Sequence, residues 1–460
     1  MANRLTRALR LSSLRHKLAG LSLLALFVTI PVEEAQGVEF TQPPPHGLTR
    51  SSAKTPLPLT ALLEWTADLS AVAYEMEIFR TPPADIANDA PDERAIFRTA
   101  EIYTNALHLS CDTFLSQPPG KEPLFWRVRS LDLDRSPISP FSELAPLYLD
   151  PHLSSSHIPV ISSPYNQGLG SVLLYPVYAW VQPANATRFE IALYDEDPTR
   201  NPTAVPIDRL FSESAECYDP KPRMGERPFF WRVRTVDPEG RPLSGWSKVG
   251  VFRTDPKDGW EVAVFGDSIS HGGGRISYGP ENLEYSWLRY LDFPAVNLSQ
   301  SGDLTETMLA RFEADVAPFH PRYLLIMGGT NDLRAEDYAV ETAVEHMEAI
   351  KEKCRQHGIK PIFLTLPPVN PQNIVRAFDE PTDPKWREKF AAFNDYLRRQ
   401  PHIDVAATFA AYSADGDLPE WLALDGLHQD ILGKQLIAAR VNAQWEEAQE
   451  AADQWLSGDL

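Results

Sequence analysis

Residues 261–274 read Glu261-Val262-Ala263-Val264-Phe265-Gly266-Asp267-Ser268-Ile269-Ser270-His271-Gly272-Gly273-Gly274. The apolar run Val262–Phe265, with its β-branched and aromatic residues, predicts a buried strand that Gly266 ends abruptly. Ser268 then falls at the carboxyl end of that strand, the edge at which open α/β sheets take their ligands. Alone, the tripeptide Gly-Asp-Ser is an ordinary strand-to-loop junction. Its meaning depends on what lies downstream.

From about Trp260 onward, short apolar runs alternate with helix-length amphipathic segments. The runs Val262–Phe265, Ala295–Leu298, Tyr323–Met327, Ile362–Leu366 and Ile403–Ala406 predict strands. Leu304–Val316, Glu336–His357 and Lys385–Arg399 predict helices, and a last helix from Gly433 turns Leu436, Ile437 and Val441 inward. Lys353, Arg355 and His357 suit the negative end of the long middle helix, which Gly358 stops. Continuous apolar strands alternating with helices imply a parallel sheet covered on both faces, here a five-stranded, flavodoxin-like α/β domain.

Four polar blocks each follow one of these strands. They are Gly266-Asp267-Ser268; Asn297-Leu298-Ser299-Gln300-Ser301-Gly302-Asp303; Gly328-Gly329-Thr330-Asn331-Asp332; and Asp425-Gly426-Leu427-His428. Each alone reads as a turn or loop, but as an ordered set they converge on one edge of the sheet. The set resembles the SGNH (GDSL) hydrolase superfamily of esterases and lipases, over roughly Trp260 to Glu450. That resemblance implies Ser268 as nucleophile, Asp425 and His428 as the rest of a catalytic triad, and Ser268, Gly302 and Asn331 as oxyanion-hole donors. Ser299 departs from the frequent N-x-G-x-x-G form of the second block, whereas the donor glycine, Gly302, is present.

The residue types suit that chemistry. A serine hydroxyl needs an imidazole to accept its proton, and the imidazole needs an acceptor to fix its tautomer. The Ser268 and Gly302 N–H groups and the Asn331 amide would supply three oxyanion donors, each worth ~3 kcal/mol of barrier. Gly302, lacking a Cβ, lets its backbone approach a substrate. Asp267 and Asp332 are expected to hold loops by hydrogen bonding, and His271 lacks an orienting carboxylate in the motif. The three glycines after His271 are expected to keep the nucleophile loop open. Tyr278, Tyr285, Trp287 and Tyr290 either shape a sugar-facing site or fill the core along the first helix. No histidine spacing suits a metal, no phosphate-binding glycine loop occurs, and no cofactor is expected.

The front half, Val38 to about Thr254, is proline- and turn-rich and contains a repeat. Leu124-Phe125-Trp126-Arg127-Val128-Arg129 recurs as Phe229-Phe230-Trp231-Arg232-Val233-Arg234, and Ser139-Pro140-Phe141-Ser142 corresponds to Ser244-Gly245-Trp246-Ser247. Upstream, Trp65 and the run 74–78 match Trp180 and the run 189–193. Each unit has the size of a small all-β sandwich, about a hundred residues. The units resemble fibronectin type III or related immunoglobulin-like sandwiches. Period-two alternation places Trp and Val in the core and leaves the two arginines solvated. With the tryptophans in the core, a spacer that contributes to the substrate-facing surface is the expected role, against glycan binding through exposed aromatics. Asn185-Ala186-Thr187 is a formal glycosylation sequon.

The chain has 460 residues, 43% of them hydrophobic, enough for several packed domains. Its 43 basic and 63 acidic residues give a formal charge of −20, which argues against a nucleic-acid partner. Three cysteines make no disulfide framework, and Cys111, Cys217 and Cys354 are expected in cores. Arg4 to Lys17 precede an apolar run, Leu18–Val32, and then Ala35-Gln36-Gly37, the layout of a signal peptide; an uncleaved membrane anchor is the competing reading. No cysteine lies near the expected cut, which disfavours a lipidated N-terminus. The expected organisation is a signal peptide (1–37), β-sandwich modules (38–152 and 153–256), an SGNH hydrolase domain (257–450) and a tail (451–460). The expected activity is that of an exported, secreted or periplasmic, serine esterase without a transmembrane span after cleavage. O-acetyl groups on a polysaccharide are one candidate substrate. A lysophospholipase or thioesterase acting on lipid, and a non-catalytic glycan-binding or adhesion protein, are the alternatives.

Overall fold

The strand–helix alternation of the second half builds a parallel sheet of β14 (Val262–Gly266), β15 (Val296–Asn297), β16 (Tyr323–Met327), β17 (Lys360–Leu364) and β18 (His402–Ile403), in the order β15-β14-β16-β17-β18. This is the flavodoxin-like order 2-1-3-4-5. The computed structural model describes residues 40–83, 90–117, 120–154, 156–183, 186–413 and 415–458. The signal segment and Asn185 of the sequon lie outside them. β14 and β16 are buried along their whole length, as strands covered on both faces must be.

Helices α1 (Ser268–His271), α2 (Thr305–Asp315), α3 (Thr330–Leu333), α4 (Val340–Gln356), α5 (Pro371–Phe378), α6 (Trp386–Leu397), α7 (Val405–Ala410) and α8 (Ile431–Ser457) complete the domain. Three sequence expectations shift. The fourth strand ends at Leu364, because the Asn394 side chain donates to the Leu366 carbonyl and accepts from its N–H, replacing the sheet ladder. The fifth strand is two residues long, because the Asp404 carboxylate accepts from Ala407 N–H and starts α7 where the strand was expected to continue. Past residue 450, α8 runs on to Ser457 and buries Ala452 and Trp455.

The first half forms antiparallel sheets. β1 (Leu62–Glu64) pairs with β4 (Ala106–His108), and β2 (Ala73–Phe79), β3 (Phe97–Ile102), β5 (Leu124–Leu131) and β6 (Ala145–Leu147) form a sheet ordered β3-β2-β5-β6. A second set repeats this theme. β7 (Val160–Ile161), β8 (Val177–Val181) and β11 (Glu216–Tyr218) make one sheet; β9 (Phe189–Tyr194), β10 (Asp208–Ser212), β12 (Phe229–Thr235) and β13 (Gly250–Phe252) make the other. Trp65 and Trp126 fill one core, Trp180 and Trp231 the other, and none of the four is open to a ligand.

The repeated motifs have a shared physical purpose. The hydroxyls of Ser139 and Ser142 accept from Ser130 and Val128 N–H on β5, and those of Ser244 and Ser247 accept from Thr235 and Val233 N–H on β12. The residue between, Phe141 or Trp246, stacks under both arginines of its strand, at 4.0 and 4.3 Å in the first copy and 4.6 and 4.1 Å in the second. The expectation that these arginines are solvated fails for the first copy, where Arg127 and Arg129 are 2% and 4% exposed. Directly across the sheet, Glu77 and Glu75 pair with them at 2.7 and 2.6 Å, and Phe141 covers the outer face. Alternation reports which residues share a face, not what later covers it.

Both β units grip the α/β domain. Leu174 N–H donates to the Asn297 carbonyl (2.8 Å) and Asn297 N–H to the Val172 carbonyl (2.9 Å), so residues 172–174 extend the parallel sheet beyond β15. From the first unit, the Leu69 and Ser70 carbonyls accept from Tyr285 Oη and Arg275 Nη1, and Asp134 pairs with Arg376 of α5 at 2.5 Å. Tyr285 thus faces this junction from a buried 3-10 turn, Trp287 of the next 3-10 turn lies in the α/β core, and neither is on the first helix, which has only four residues.

Two carboxylates meet at the contact with the second unit. A Cβ at Gly279 would press on both Glu216, 2.8 Å away, and Glu281. Burial pushes both carboxyls upward, with the neighbouring Glu216 charge adding to the effect on Glu281. Between the ordinary carboxyl range and these raised values the folded chain holds protons that the unfolded chain has lost, so stability falls as pH rises. Glu281→Gln is therefore expected to flatten the decline in melting temperature between pH 5 and pH 8, measured by thermal unfolding; parallel declines for both proteins would contradict it.

Candidate active site

The carboxyl ends of β14, β15 and β16 deliver three of the four polar blocks to one edge of the sheet, and the turn before α8 delivers the fourth. Ser268 opens α1 directly after β14. Its Oγ lies 2.9 Å from His428 Nε2, and His428 Nδ1 lies 2.8 Å from Asp425 Oδ2. Asp425 is fully buried, and its other oxygen accepts from the N–H groups of Leu427 (2.8 Å) and His428 (2.7 Å). With a carboxylate on Nδ1, the His428 proton belongs on that nitrogen and Nε2 is left to face the hydroxyl. Phe378 of α5 packs edge-on to the imidazole at 6.0 Å.

Gly302 follows Gln300, whose N–H donates to the Gly266 carbonyl at the end of β14 (3.0 Å); its φ is +86, and a Cβ there would meet open space. The constraint on this residue is its left-handed backbone and not crowding. Among the described residues, the Ser268 and Gly302 N–H groups donate to no protein acceptor. Asn331, on α3, donates one amide proton to the Asp303 carbonyl (2.9 Å), which ties the third block to the second. An amide carries a second proton, so one remains for a ligand.

The aspartates within the motifs act as anchors, as expected. Asp267 caps α1 by accepting from Ile269 N–H (3.0 Å), and burial pushes its carboxyl up to about 7. Asp332 accepts from both Thr305 N–H (3.0 Å) and Thr305 Oγ1 (2.9 Å), fastening α3 to the start of α2. The three glycines do not keep the loop open, contrary to expectation. A Cβ at Gly272, Gly273 or Gly274 would meet Pro280, the Tyr278 carbonyl at 2.6 Å, or the Gln429 carbonyl at 2.9 Å. Gly272 and Gly273 let the loop fold back onto residues 278–280, and Gly274 lets it pack against the turn that carries His428.

Residue types gave no sign of three further supports. Arg311 of α2 stacks over Phe265 at 4.2 Å, pairs with Asp303 at 2.6 Å, and donates to the Leu298 carbonyl at 2.7 Å. Lys434 of α8 is fully buried and donates to the Ile269 carbonyl at 2.8 Å; burial lowers its ammonium to about 8. His271 is buried and bonded through both ring nitrogens. Only a regular helical pattern surrounds Arg311 and Lys434 in sequence, and a charged residue there reads as surface.

Residues 264–436 match the GDSL-like lipase/acylhydrolase family. They form a GDSL-like hydrolase domain. The "Uncharacterized lipoprotein YqeF" of Bacillus subtilis (strain 168) is 31% identical over 120 residues, 24% of this chain and 49% of that protein. The chain thus spans about half the length of the curated relative it matches. A lipase/acylhydrolase from Enterococcus faecalis is 21% identical, covering 41% of this chain and 96% of that one with a TM-score of 0.33. The acetylxylan esterase Axe2 from Geobacillus stearothermophilus is 20% identical, covering 40% and 94% with a TM-score of 0.31. Likeness at this level says nothing of substrate.

Among the described residues of the GDSL-like domain, the exposed large hydrophobic side chains are Val375, Tyr412, Trp421 and Leu432. Trp421 and Tyr412 contact each other at 5.7 Å, four and thirteen positions before Asp425. Glu420 pairs with Arg376 (3.2 Å), so Trp421 and Val375 flank one ion pair. A cavity of about 420 Å³ lined by Trp260, Phe293 and Trp445 lies at the amino end of β14, away from Ser268. Among the described residues no group of three or more His, Cys, Asp or Glu is placed to hold a metal ion.

The two kinds of glycine separate in stability. Gly302→Ala meets only the left-handed backbone cost of roughly 1–2 kcal/mol. Gly266→Ala drives a methyl group into the Met327 carbonyl oxygen, a backbone atom of the neighbouring strand that cannot swing aside, and costs about 3 kcal/mol or more, the upper end for overpacking. Urea unfolding is expected to rank Gly266→Ala as the more destabilised of the two.

Proposed function

We propose that this protein is an exported serine hydrolase of carboxylic esters, with Ser268, His428 and Asp425 as its triad. The observation that carries the reading is the unbroken chain from Ser268 Oγ to His428 Nε2 (2.9 Å) and from His428 Nδ1 to buried Asp425 (2.8 Å). His428 Nε2 takes the hydroxyl proton as Oγ attacks the ester carbonyl carbon. The carbonyl oxygen becomes an oxyanion held by the Ser268 and Gly302 N–H groups and the second Asn331 amide proton. Collapse expels the alcohol, which receives the proton from His428 and leaves an acyl-Ser268. Water then gives its proton to His428, attacks the acyl carbon, and releases the acid with Oγ reprotonated.

For the substrate we favour small acyl esters on a neutral carbohydrate over lipids. Two observations support this. Trp421 and Tyr412 present exposed rings beside the segment that holds Asp425 and His428, as flat apolar faces with polar edges. Beside Trp421 lie charged partners, Arg376, Glu420 and Asp134, which suit a polar ligand better than a long acyl chain. The chain's acidic balance disfavours polyanionic glycans.

Export rests on the basic-then-apolar N-terminus and on Ala35-Gln36-Gly37. The Bacillus subtilis relative is named a lipoprotein, but the first cysteine here is Cys111, so the leader offers no thiol for a lipid. Among the described residues no helix is long and apolar enough to cross a membrane. N-terminal sequencing of the protein recovered outside the cytoplasm is expected to begin just after Gly37; a start at residue 1 or 2 would favour the anchored reading.

Kinetics on aryl esters test the mechanism. Ser268→Ala is expected to fold with an unchanged melting temperature and lose hydrolysis of p-nitrophenyl acetate. Asn331→Ala is expected to lower kcat about 100-fold, the effect of removing one oxyanion donor. Full activity of Ser268→Ala would sink the assignment. In an acetate-to-decanoate series kcat/KM is expected to fall with chain length, and Trp421→Ala to raise KM for an acetylated polysaccharide while leaving p-nitrophenyl acetate unaffected. The opposite chain-length trend would move the reading to lipids.

A further inference from the structure

His271 bridges three parts of the molecule. It ends α1, three residues after Ser268. Its Nε2 lies 2.7 Å from the Tyr175 carbonyl, an acceptor, so Nε2–H donates there. Nδ1 is then the acceptor of the neutral ring. It lies 2.8 Å from Ser301 Oγ and receives Ser301 N–H at 3.3 Å. Ser301 immediately precedes Gly302, so the ring nitrogen holds both the main chain and the side chain of the residue whose carbonyl forms the Gly302 peptide. Burial pushes the imidazole down to about 4, which keeps Nδ1 free to accept at neutral pH.

The other end of this bridge is firm. Tyr175 directly follows the segment 172–174 that extends the parallel sheet, its hydroxyl donates to Asp315 at 2.6 Å, and its ring lies beneath Arg311. The Asn297 amide donates to the carbonyls of Ser270 (2.9 Å) and His271 (3.0 Å), holding the end of α1 against the second block. The second β unit therefore reaches the candidate oxyanion site through two consecutive hydrogen bonds.

We propose that His271 is a positioning residue that aims the Ser301–Gly302 peptide at the oxyanion, with the backbone of the second β unit as its fixed support. The proposal rests on the serine-hydrolase reading above. It assigns to that unit a part in catalysis that a spacer does not have. The imidazole does not touch the ester: it acts through Ser301, and the energy it controls is that of one donor's alignment.

Two substitutions separate the arms of the bridge. His271→Gln can still reach the Tyr175 carbonyl with its amide but offers Ser301 no acceptor near Cβ. His271→Asn keeps an acceptor beside Ser301 and gives up Tyr175. Steady-state hydrolysis of p-nitrophenyl acetate by the full chain, with thermal unfolding of each variant, reads both. His271→Gln, which removes both contacts to Ser301, is expected to lower kcat about ten-fold with KM unchanged; Ser301→Ala, which removes the hydroxyl contact and keeps the Ser301 N–H on Nδ1, about three-fold; and their double variant to be no slower than His271→Gln. His271→Asn is expected to recover about three-fold of the kcat lost by His271→Gln while melting lower than wild type. Ser301 is half-buried, so Ser301→Ala tests the idea even where a His271 variant folds poorly. Wild-type kcat in Ser301→Ala, or losses that multiply in the double variant, would overturn the proposal. Activity that persists in Ser268→Ala would instead overturn the hydrolase reading on which it stands.

Discussion

The contact between Ser268 and His428 joins side chains 160 positions apart, and it is possible only because a parallel sheet brings the carboxyl ends of its strands to one edge. Every other feature of the site answers to that constraint. β14 must lie between β15 and β16 for Ser268 to reach both the second block beyond β15 and the third beyond β16. Gly266 has no side chain because the Met327 carbonyl occupies the space a Cβ would fill. The turn carrying Asp425 and His428 must approach from α8, and Gly274, with no Cβ to meet the Gln429 carbonyl, lets it settle onto the loop that follows Ser268.

Bringing four loops to one edge buries many main-chain polar groups that no sheet ladder can satisfy, and each needs a partner. Asn297, Arg311, Lys434, Asp332 and Asn394 meet that need. Each is a polar side chain taken out of water to hold carbonyls or N–H groups of neighbouring segments. Such groups gain little net energy from the bonds themselves but would cost heavily if left unpaired. Their effect is to fix one arrangement of the loops, which is what a site built from separate segments requires.

The β units enter this scheme in two different ways. The second extends the parallel sheet through residues 172–174 and continues the hydrogen-bonded network through Tyr175 to His271. The first contributes turns at the outer side, where Leu69, Ser70 and Asp134 meet Tyr285, Arg275 and Arg376. Its contacts are carbonyls and an ion pair with a half-exposed arginine, and the exposed member of such a pair adds little stability. Their value lies in placing a second wall beside α5, which packs on His428 through Phe378.

Local chemistry alone was enough to read the parallel sheet, the long helices and the tryptophan-filled cores of the repeat, because periodicity is written along the chain. Ser268, Gly302, Asn331, Asp425 and His428 stood out only as an ordered set of blocks whose resemblance to a known family implies their roles. Tertiary structure decided the rest. It buried Arg127 and Arg129, because Glu77, Glu75 and Phe141 come from other strands. It shortened two strands, because Asn394 and Asp404 captured their ends. It closed the glycine loop instead of opening it, and it turned His271 from a bystander into a bridge. In each case the deciding partner lies far away in sequence, and hydrophobic pattern records which face a residue takes, not what arrives to cover it.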